Sequence, residues 1–217
     1  MALLQALGSE SPGRRQRAAL SSVEEGPVPV AALVEAALGE PDPNVAGALR
    51  WALAQAGDDA LALLAEGLGA PAPEVRERAV DAVAEIPGEA ATALLREALT
   101  GPDVVVRRRA APALAARGVA DGVPTLVAMV VEDVNDADAA DALSALAGDP
   151  ATAERIAAAL VDGLAGAAGP AARRRLTQAL ADIPGATAER ALVDLAQDED
   201  RAVALTAAYV RTLREAR

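Results

Sequence analysis

The sequence predicts an all-α fold, an α-α superhelix or solenoid of about six helical hairpins followed by a C-terminal capping helix. Two observations predict it. The chain is 53% hydrophobic but only 1% aromatic, so its core consists of Ala, Leu and Val, which suit closely packed helices. A small apolar pair also recurs about every thirty residues, which is the signature of a repeat architecture.

Two sequence columns define this repeat. The first consists of Ala19-Leu20, Ala52-Leu53, Ala82-Val83, Ala113-Leu114, Ala142-Leu143, Ala179-Leu180 and Tyr209-Val210, in steps of 29 to 37 residues. The second consists of Leu38, Leu68, Leu99, Val131 and Leu164, in steps of 30 to 33. Because two columns agree on one period, the sequence indicates a true internal repeat.

Gly and Pro residues divide each period into two helices. Turns within the units are expected at Gly26-Pro27, Gly57-Asp58, Pro87-Gly88, Gly118, Gly148-Asp149-Pro150 and Pro184-Gly185, and breaks between units at Pro41, Pro71, Pro102 and Pro170. We therefore predict a single repeat domain, 1–217, with units 9–40, 41–70, 71–100, 101–132, 133–166 and 167–200 and a cap at 201–217.

The third unit shows why such hairpins must stack. Its first helix is predicted to bury one stripe at helical spacing, formed by Val75, Ala79, Ala82, Val83 and Ile86. A single hairpin cannot bury this stripe alone, so neighbouring repeats have to cover it.

Three segments resemble HEAT repeats, in particular the bacterial and archaeal branch named after phycobilisome lyases: PAPEVRERAVDAVAEIPG, GPDVVVRRRAAPALAARG and GPAARRRLTQALADIPG. The resemblance covers residues 9 to 200, and Pro112 resembles the kink-forming proline of HEAT units. The fifth unit departs from it, because DVNDADAADAL lacks the Val-Arg pair and a longer linker is expected before its second helix.

The resemblance implies that second helices line a concave face. Their exposed positions are predicted to be acidic, at Glu35, Glu66, Glu97, Asp162 and Asp194, with Arg96 and Met129 as exceptions. Solvation alone is one explanation. The other is that a surface of one charge sign attracts a basic protein partner.

Arginines gather where first helices begin: Arg14, Arg15, Arg17, Arg76, Arg78, Arg107, Arg108, Arg109, Arg173, Arg174 and Arg175. A cation is unfavourable at a helix N-terminus, so compensating partners are expected. Salt bridges to Glu40, Asp42, Glu74 and Asp103 are one interpretation, and binding of an acidic or phosphorylated partner is the other. Trp51, predicted to be partly exposed, joins Arg107, Arg108 and Arg109 as an alternative outer-face patch.

Enzyme chemistry is not expected. The sequence contains neither His nor Cys, and no carboxylate pair stands out, so we name no catalytic, cofactor-binding or metal residue. The segment from Asp133 to Asp141 resembles a calcium loop but lacks its turn glycine and its closing Glu. Asp133 to Asp138 are instead expected to cap the first helix of the fifth unit.

The predicted solenoid favours a protein-binding scaffold or adaptor, and we expect a monomer that works in a signalling or assembly complex. A role as a lyase-like enzyme subunit or chaperone is the alternative. Nucleic-acid binding is the third and weakest, because the net charge is -12. No apolar run is long enough to span a bilayer and no export signal is seen, so a cytoplasmic protein without membrane contact is expected. The absence of Lys fits either a GC-rich genome or a salt-loving cell.

Overall fold

A computed structural model of the protein describes residues 2–23, 29–167 and 169–215. Within these ranges the chain is helical and contains no strand. The helices are α1 Ala2–Leu7, α2 Pro12–Ser21, α3 Val30–Gly39, α4 Pro43–Ala56, α5 Leu61–Leu68, α6 Pro73–Glu85, α7 Glu89–Thr100, α8 Val104–Ala116, α9 Val123–Glu132, α10 Asp136–Leu146, α11 Pro150–Gly166, α12 Pro170–Ala179, α13 Ala186–Leu195 and α14 Arg201–Glu215. Short 3-10 helices follow α4, α8 and α12. The predicted turn at Gly26-Pro27 and the end of the predicted cap, 216–217, lie outside the described residues.

The chain forms two compact units, Met1–Ala110 and Ala111–Arg217. In the first unit α2, α4 and α6 pack one on the next, and so do α3, α5 and α7. In the second unit α10, α12 and α14 form one such row, and α9, α11 and α13 the other. Each unit is therefore a stack of helical hairpins with a row of first helices and a row of second helices. The single domain and its unit boundaries stay predictions.

Helix starts follow from proline and carboxylate caps. Asp42 accepts hydrogen bonds from the amides of Asn44 and Val45 at 2.9 and 3.1 Å, and Asp149 accepts one from the Thr152 amide at 2.8 Å. Pro occupies the first helical position after both residues, where its missing N–H costs nothing. The N-caps of α7 and α13 are Gly88 and Gly185, whose φ values of 107° and 115° favour glycine.

The core consists of small aliphatic side chains, as predicted. Ala79, Ala82, Val83 and Ile86 of the predicted third-unit stripe are fully buried, whereas Val75 is only half-buried. Val80 is buried as well. The buried stripe is wider than predicted because α6 contacts α3, α4, α5 and α7.

Two details of the fifth unit correct the prediction. The segment between α10 and α11 is short, residues 147–149, and the long repeat step arises because α11 itself has 17 residues. Asp133 does not cap α10, since it ends α9 with a left-handed backbone, φ 62°. Asn135 precedes α10 and makes no side-chain cap, so only Asp136 and Asp138 lie in that helix's first turn. None of the described helices is long and apolar enough to cross a membrane.

Candidate protein-binding face

The five predicted carboxylates all lie exposed on second helices. Glu35, Glu66 and Glu97 belong to α3, α5 and α7 of the first unit, and Asp162 and Asp194 belong to α11 and α13 of the second. None of the five forms an ion pair with a residue that the structure describes. These positions therefore present uncompensated negative charge to solvent.

The two predicted exceptions behave differently. Arg96 forms an ion pair with Glu89 within α7 at 2.8 Å, so its charge is compensated locally. Met129 was predicted to be exposed, and this is wrong because only 3% of it is accessible. The helix that carries it, α9, contacts α10, α11 and α12, which together cover a wider stripe than one hairpin partner would.

Most of the arginines at first-helix starts, by contrast, have partners inside the fold. Three are exposed and form no ion pair with a described residue: Arg14, Arg17 and Arg174. Arg15 donates to both carboxylate oxygens of Glu40, at 2.7 and 2.8 Å, and to the Ser9 carbonyl at 2.8 Å. The Glu40 side chain is only 4% exposed, and the Arg15 hydrogen bond lowers its pKa. Glu40 also accepts the amide hydrogen of Asp42 at 2.9 Å, which fixes the residue that caps α4.

Arg76 repeats this arrangement 61 positions later. It donates to Asp103 at 2.7 Å and to the carbonyls of Ala70 and Pro71 at 2.8 and 2.9 Å. The hydrogen bond from Arg76 lowers the pKa of Asp103. Asp103 in turn caps α8 by accepting from the Val105 amide at 2.8 Å. The predicted salt bridges to Glu40 and Asp103 are thus confirmed.

A second set of arginines donates hydrogen bonds to carbonyls at helix C-termini. Arg78 donates to the carbonyl of Leu38 at 2.8 Å, at the end of α3. Arg175 donates to the carbonyls of Val130 and Val131 at 2.8 and 2.6 Å, at the end of α9, and lies 3.5 Å from Asp133. A cation beside the last carbonyls of a helix is favourable, so these contacts stabilise the stacking of hairpins within each unit.

The three arginines of the alternative outer-face patch form contacts within the fold. Arg107 donates to the Gly101 carbonyl at 2.7 Å, and Arg109 donates to Asp81 at 2.9 Å and Glu77 at 2.8 Å. Arg108 also has a partner. Trp51 is 45% exposed, which confirms that its ring is only partly covered.

Cap positions reveal an equivalence that the sequence columns missed. Trp51 stands nine residues after the cap Asp42, and Tyr209 stands nine residues after Asp200, which caps α14 by accepting from the Ala202 amide at 2.8 Å. Tyr209 is 64% exposed. The two aromatic side chains therefore occupy the same position of a first helix, and both are exposed.

Two grooves open beside the acidic positions of the first unit. One has a volume of about 610 Å³ and is lined by Ala65, Leu68, Gly69, Ala70, Arg76, Leu94, Glu97, Ala98, Gly101, Pro102, Asp103 and Val106. The other, of about 590 Å³, is lined by Leu4, Leu7, Gly8, Ser9, Arg15, Ala32, Glu35, Ala36, Gly39, Glu40 and Pro41. We call them the Glu97 groove and the Glu35 groove. Both contain an arginine-carboxylate pair and one unpaired glutamate.

A metal site is not evident in the described ranges, where no group of three or more acidic side chains could hold an ion. Asp133, the first residue of the calcium-like segment, lies at the end of α9, 3.5 Å from Arg175.

Comparison with known families decides the fold's identity. The sequence profile of HEAT repeats matches residues 30–115 and 61–147, which together span more than half of the chain. The chain belongs to the HEAT-repeat family. The predicted fold class, an all-α solenoid of helical hairpins, is confirmed. The narrower assignment to the branch named after phycobilisome lyases stays a prediction.

Several solved structures are similar to this HEAT-repeat chain. Two crystal structures of engineered proteins are each 24% identical, with a TM-score of 0.46; the match covers 96% of this chain and 66% and 95% of theirs. A designed armadillo repeat protein is 19% identical, with a TM-score of 0.31 and coverage of 96% and 97%. No curated protein matches the chain.

Sequence reasoning missed several residues of the site. Asp198, which pairs with Arg173, and the paired grooves were not predicted. A signal was present, because Leu7, Gly8 and Arg15 recur as Leu68, Gly69 and Arg76 at a shift of 61. That shift spans two hairpins, whereas the columns were compared one hairpin at a time.

Proposed function

We propose that this HEAT-repeat protein is a non-catalytic scaffold or adaptor, and that it binds a basic protein partner through exposed acidic positions on the second helices of each unit. The carboxylates Glu35, Glu66, Glu97, Asp162 and Asp194 supply the attraction. The observation that supports this most is their lack of ion-pair partners among the described residues, whereas the arginines Arg15, Arg76, Arg109, Arg173 and Arg175 all have such partners. Stacked repeats offer extended surfaces of this kind for binding.

The proposal includes a monomeric protein that works in the cytoplasm, in a signalling or assembly complex. It does not extend to lyase activity, because the sequence contains no His or Cys that could serve as acid, base or nucleophile. It also excludes a nucleic-acid partner, since phosphate binding requires basic surface and the face in question is acidic.

Charge reversal tests the proposal. Glu66, Glu97 and Asp162 are changed together to Arg, and capture of proteins from the native cell lysate is compared with wild type. Single exposed charge pairs contribute only about 0–1 kcal/mol, so the combined reversal is needed to abolish capture. Helical content by circular dichroism should not change, because all three side chains are exposed.

A matched variant distinguishes the outer face. Trp51→Ala removes the exposed ring of α4 and leaves the acidic face intact, so captured proteins should be retained. The opposite pattern, in which Trp51→Ala loses them and the triple reversal does not, would move the binding surface to the first helices.

A further inference from the structure

The two grooves of the first unit are copies of one another. Ten lining positions correspond: those at 4, 7, 8, 9, 15 and 41 recur 61 residues later, and those at 32, 35, 36 and 39 recur 62 residues later. The Glu35 groove lies where α1 and α3 flank α2, and the Glu97 groove lies where α5 and α7 flank α6. The grooves are thus separated by two hairpins of the stack.

The hairpin junction between them is built differently. Gly67 of α5 lies so close to α3 and α6 that an added Cβ would be 3.1 Å from the Leu38 and Ala79 side chains. Ala46 stands where Arg15 and Arg76 stand in the neighbouring units, four residues after the helix cap, and Ala72 stands where Asp103 does. Arg78 donates a hydrogen bond to the Leu38 carbonyl across this junction. Open and tightly packed junctions therefore alternate.

The chemistry of each groove selects a long basic side chain. The ion pairs Arg15 with Glu40 and Arg76 with Asp103 are internally neutral, so the unpaired Glu35 and Glu97 give each groove its net negative charge. The remaining lining is mainly Leu, Ala and Gly. A Lys or Arg of a partner can lay its aliphatic stem on such a surface and place its charged head beside the glutamate.

The spacing of the grooves defines the spacing of the anchors. Packed helices lie about 8–10 Å apart, so grooves two hairpins apart are separated by roughly 16–20 Å. An extended chain advances about 3.3 Å per residue and a polyproline II chain about 3.1 Å, so about six residues span this distance. Side chains of an extended chain point the same way at every second residue, and those of a polyproline II chain at every third. Residues six positions apart therefore point the same way in either conformation, so both anchors face the grooves.

We propose that the Glu35 and Glu97 grooves form a bipartite site for an extended segment of a partner protein, with two basic residues six positions apart. This inference rests on the proposed function and adds the geometry of the partner. It also explains why only alternate hairpins of the first unit carry the combination of an arginine-carboxylate pair with an open groove.

Synthetic peptides test the site. The probes are twelve-residue, end-blocked peptides in which two arginines stand three to nine positions apart in a Ser/Ala background, so composition and charge are constant. Binding is measured by fluorescence anisotropy at physiological salt. We expect the six-residue spacing to bind at least about fivefold more tightly than spacings of three or nine, because only it engages both grooves at once.

Three variants separate the outcomes. Glu35→Gln and Glu97→Gln should each remove the spacing preference, whereas Glu66→Gln, equally exposed but outside both grooves, should preserve it. Binding that is independent of spacing and equally weakened by all three substitutions would overturn the paired grooves and leave the acidic scaffold standing. Binding that none of the three weakens would overturn both.

Discussion

The arginines at first-helix starts and the carboxylates on second helices differ in what they contact. Arg15, Arg76 and Arg175 each donate to backbone carbonyls and reach a carboxylate. Glu66 and Asp162 contact no oppositely charged residue in the described part of the chain. The sign of a charged cluster therefore does not reveal its role. Its partners do: the arginines hold hairpins together, and the carboxylates remain available for another molecule.

The largest expected effect comes from removing one of the structural arginines. Arg76→Gln leaves Asp103 without its ion pair and two carbonyls without donors, so the free energy of unfolding should fall by about 2 kcal/mol. Urea denaturation measures it. Arg14→Gln is the matched control, because Arg14 is exposed and has no partner in the described structure, and its effect should stay below about 0.5 kcal/mol. Equal losses in both variants would contradict the structural role.

Acidification should weaken the same contacts. Glu40 and Asp103 have lowered pKa values in the folded chain, because each accepts a hydrogen bond from an arginine. Their contribution is complete above the pKa of the unfolded chain, near 4, and is lost as the pH falls toward the lower folded value. We therefore expect the free energy of unfolding to fall over this pH range.

A double variant isolates this effect. Glu40→Gln with Asp103→Asn should be less stable than wild type at pH 7 and should lose less stability between about pH 5 and pH 3. Urea denaturation at several pH values gives both curves. Parallel curves for the variant and the wild type would show that other carboxyl groups control the acid sensitivity.

The smallest expected effect concerns nucleic acid. Because many arginines are engaged in the fold and the net charge is -12, duplex DNA should show no measurable binding at physiological salt. A gel shift at that salt concentration is sufficient. Micromolar, salt-sensitive binding would show that the arginines are accessible to phosphates after all.

The helices and the exposed acidic positions on them could be predicted from the sequence, because both depend on helical periodicity. Glu35 and Glu97 are exposed since the buried residues of their helices lie one or two positions away, at Val34 and Ala37 in α3 and at Leu95 and Ala98 in α7, and so face the other side. The burial of Met129 could not be predicted in this way, because it arises from contacts of α9 with three other helices. The arginine-carbonyl contacts were also missed, since side-chain direction and reach are not encoded in spacing alone.

The paired grooves illustrate the same limit. Arg15 and Arg76 look alike in sequence, but the groove beside each also requires that the intervening hairpin, with Gly67 and Ala72, be packed differently. An alignment of single hairpins does not show this difference between open and tightly packed junctions. The two-hairpin period becomes visible only when the whole lining of the Glu35 groove is compared with that of the Glu97 groove.

One variant tests the central claim most directly, namely that the exposed carboxylates serve binding and not stability. Glu66→Gln, Glu97→Gln and Asp162→Asn together remove three charges while preserving side-chain size. We predict that the free energy of unfolding stays within about 0.5 kcal/mol of wild type, or rises as charge repulsion is relieved, while binding of the captured basic partner is lost. A loss of stability of more than about 1 kcal/mol with binding unchanged would contradict the account.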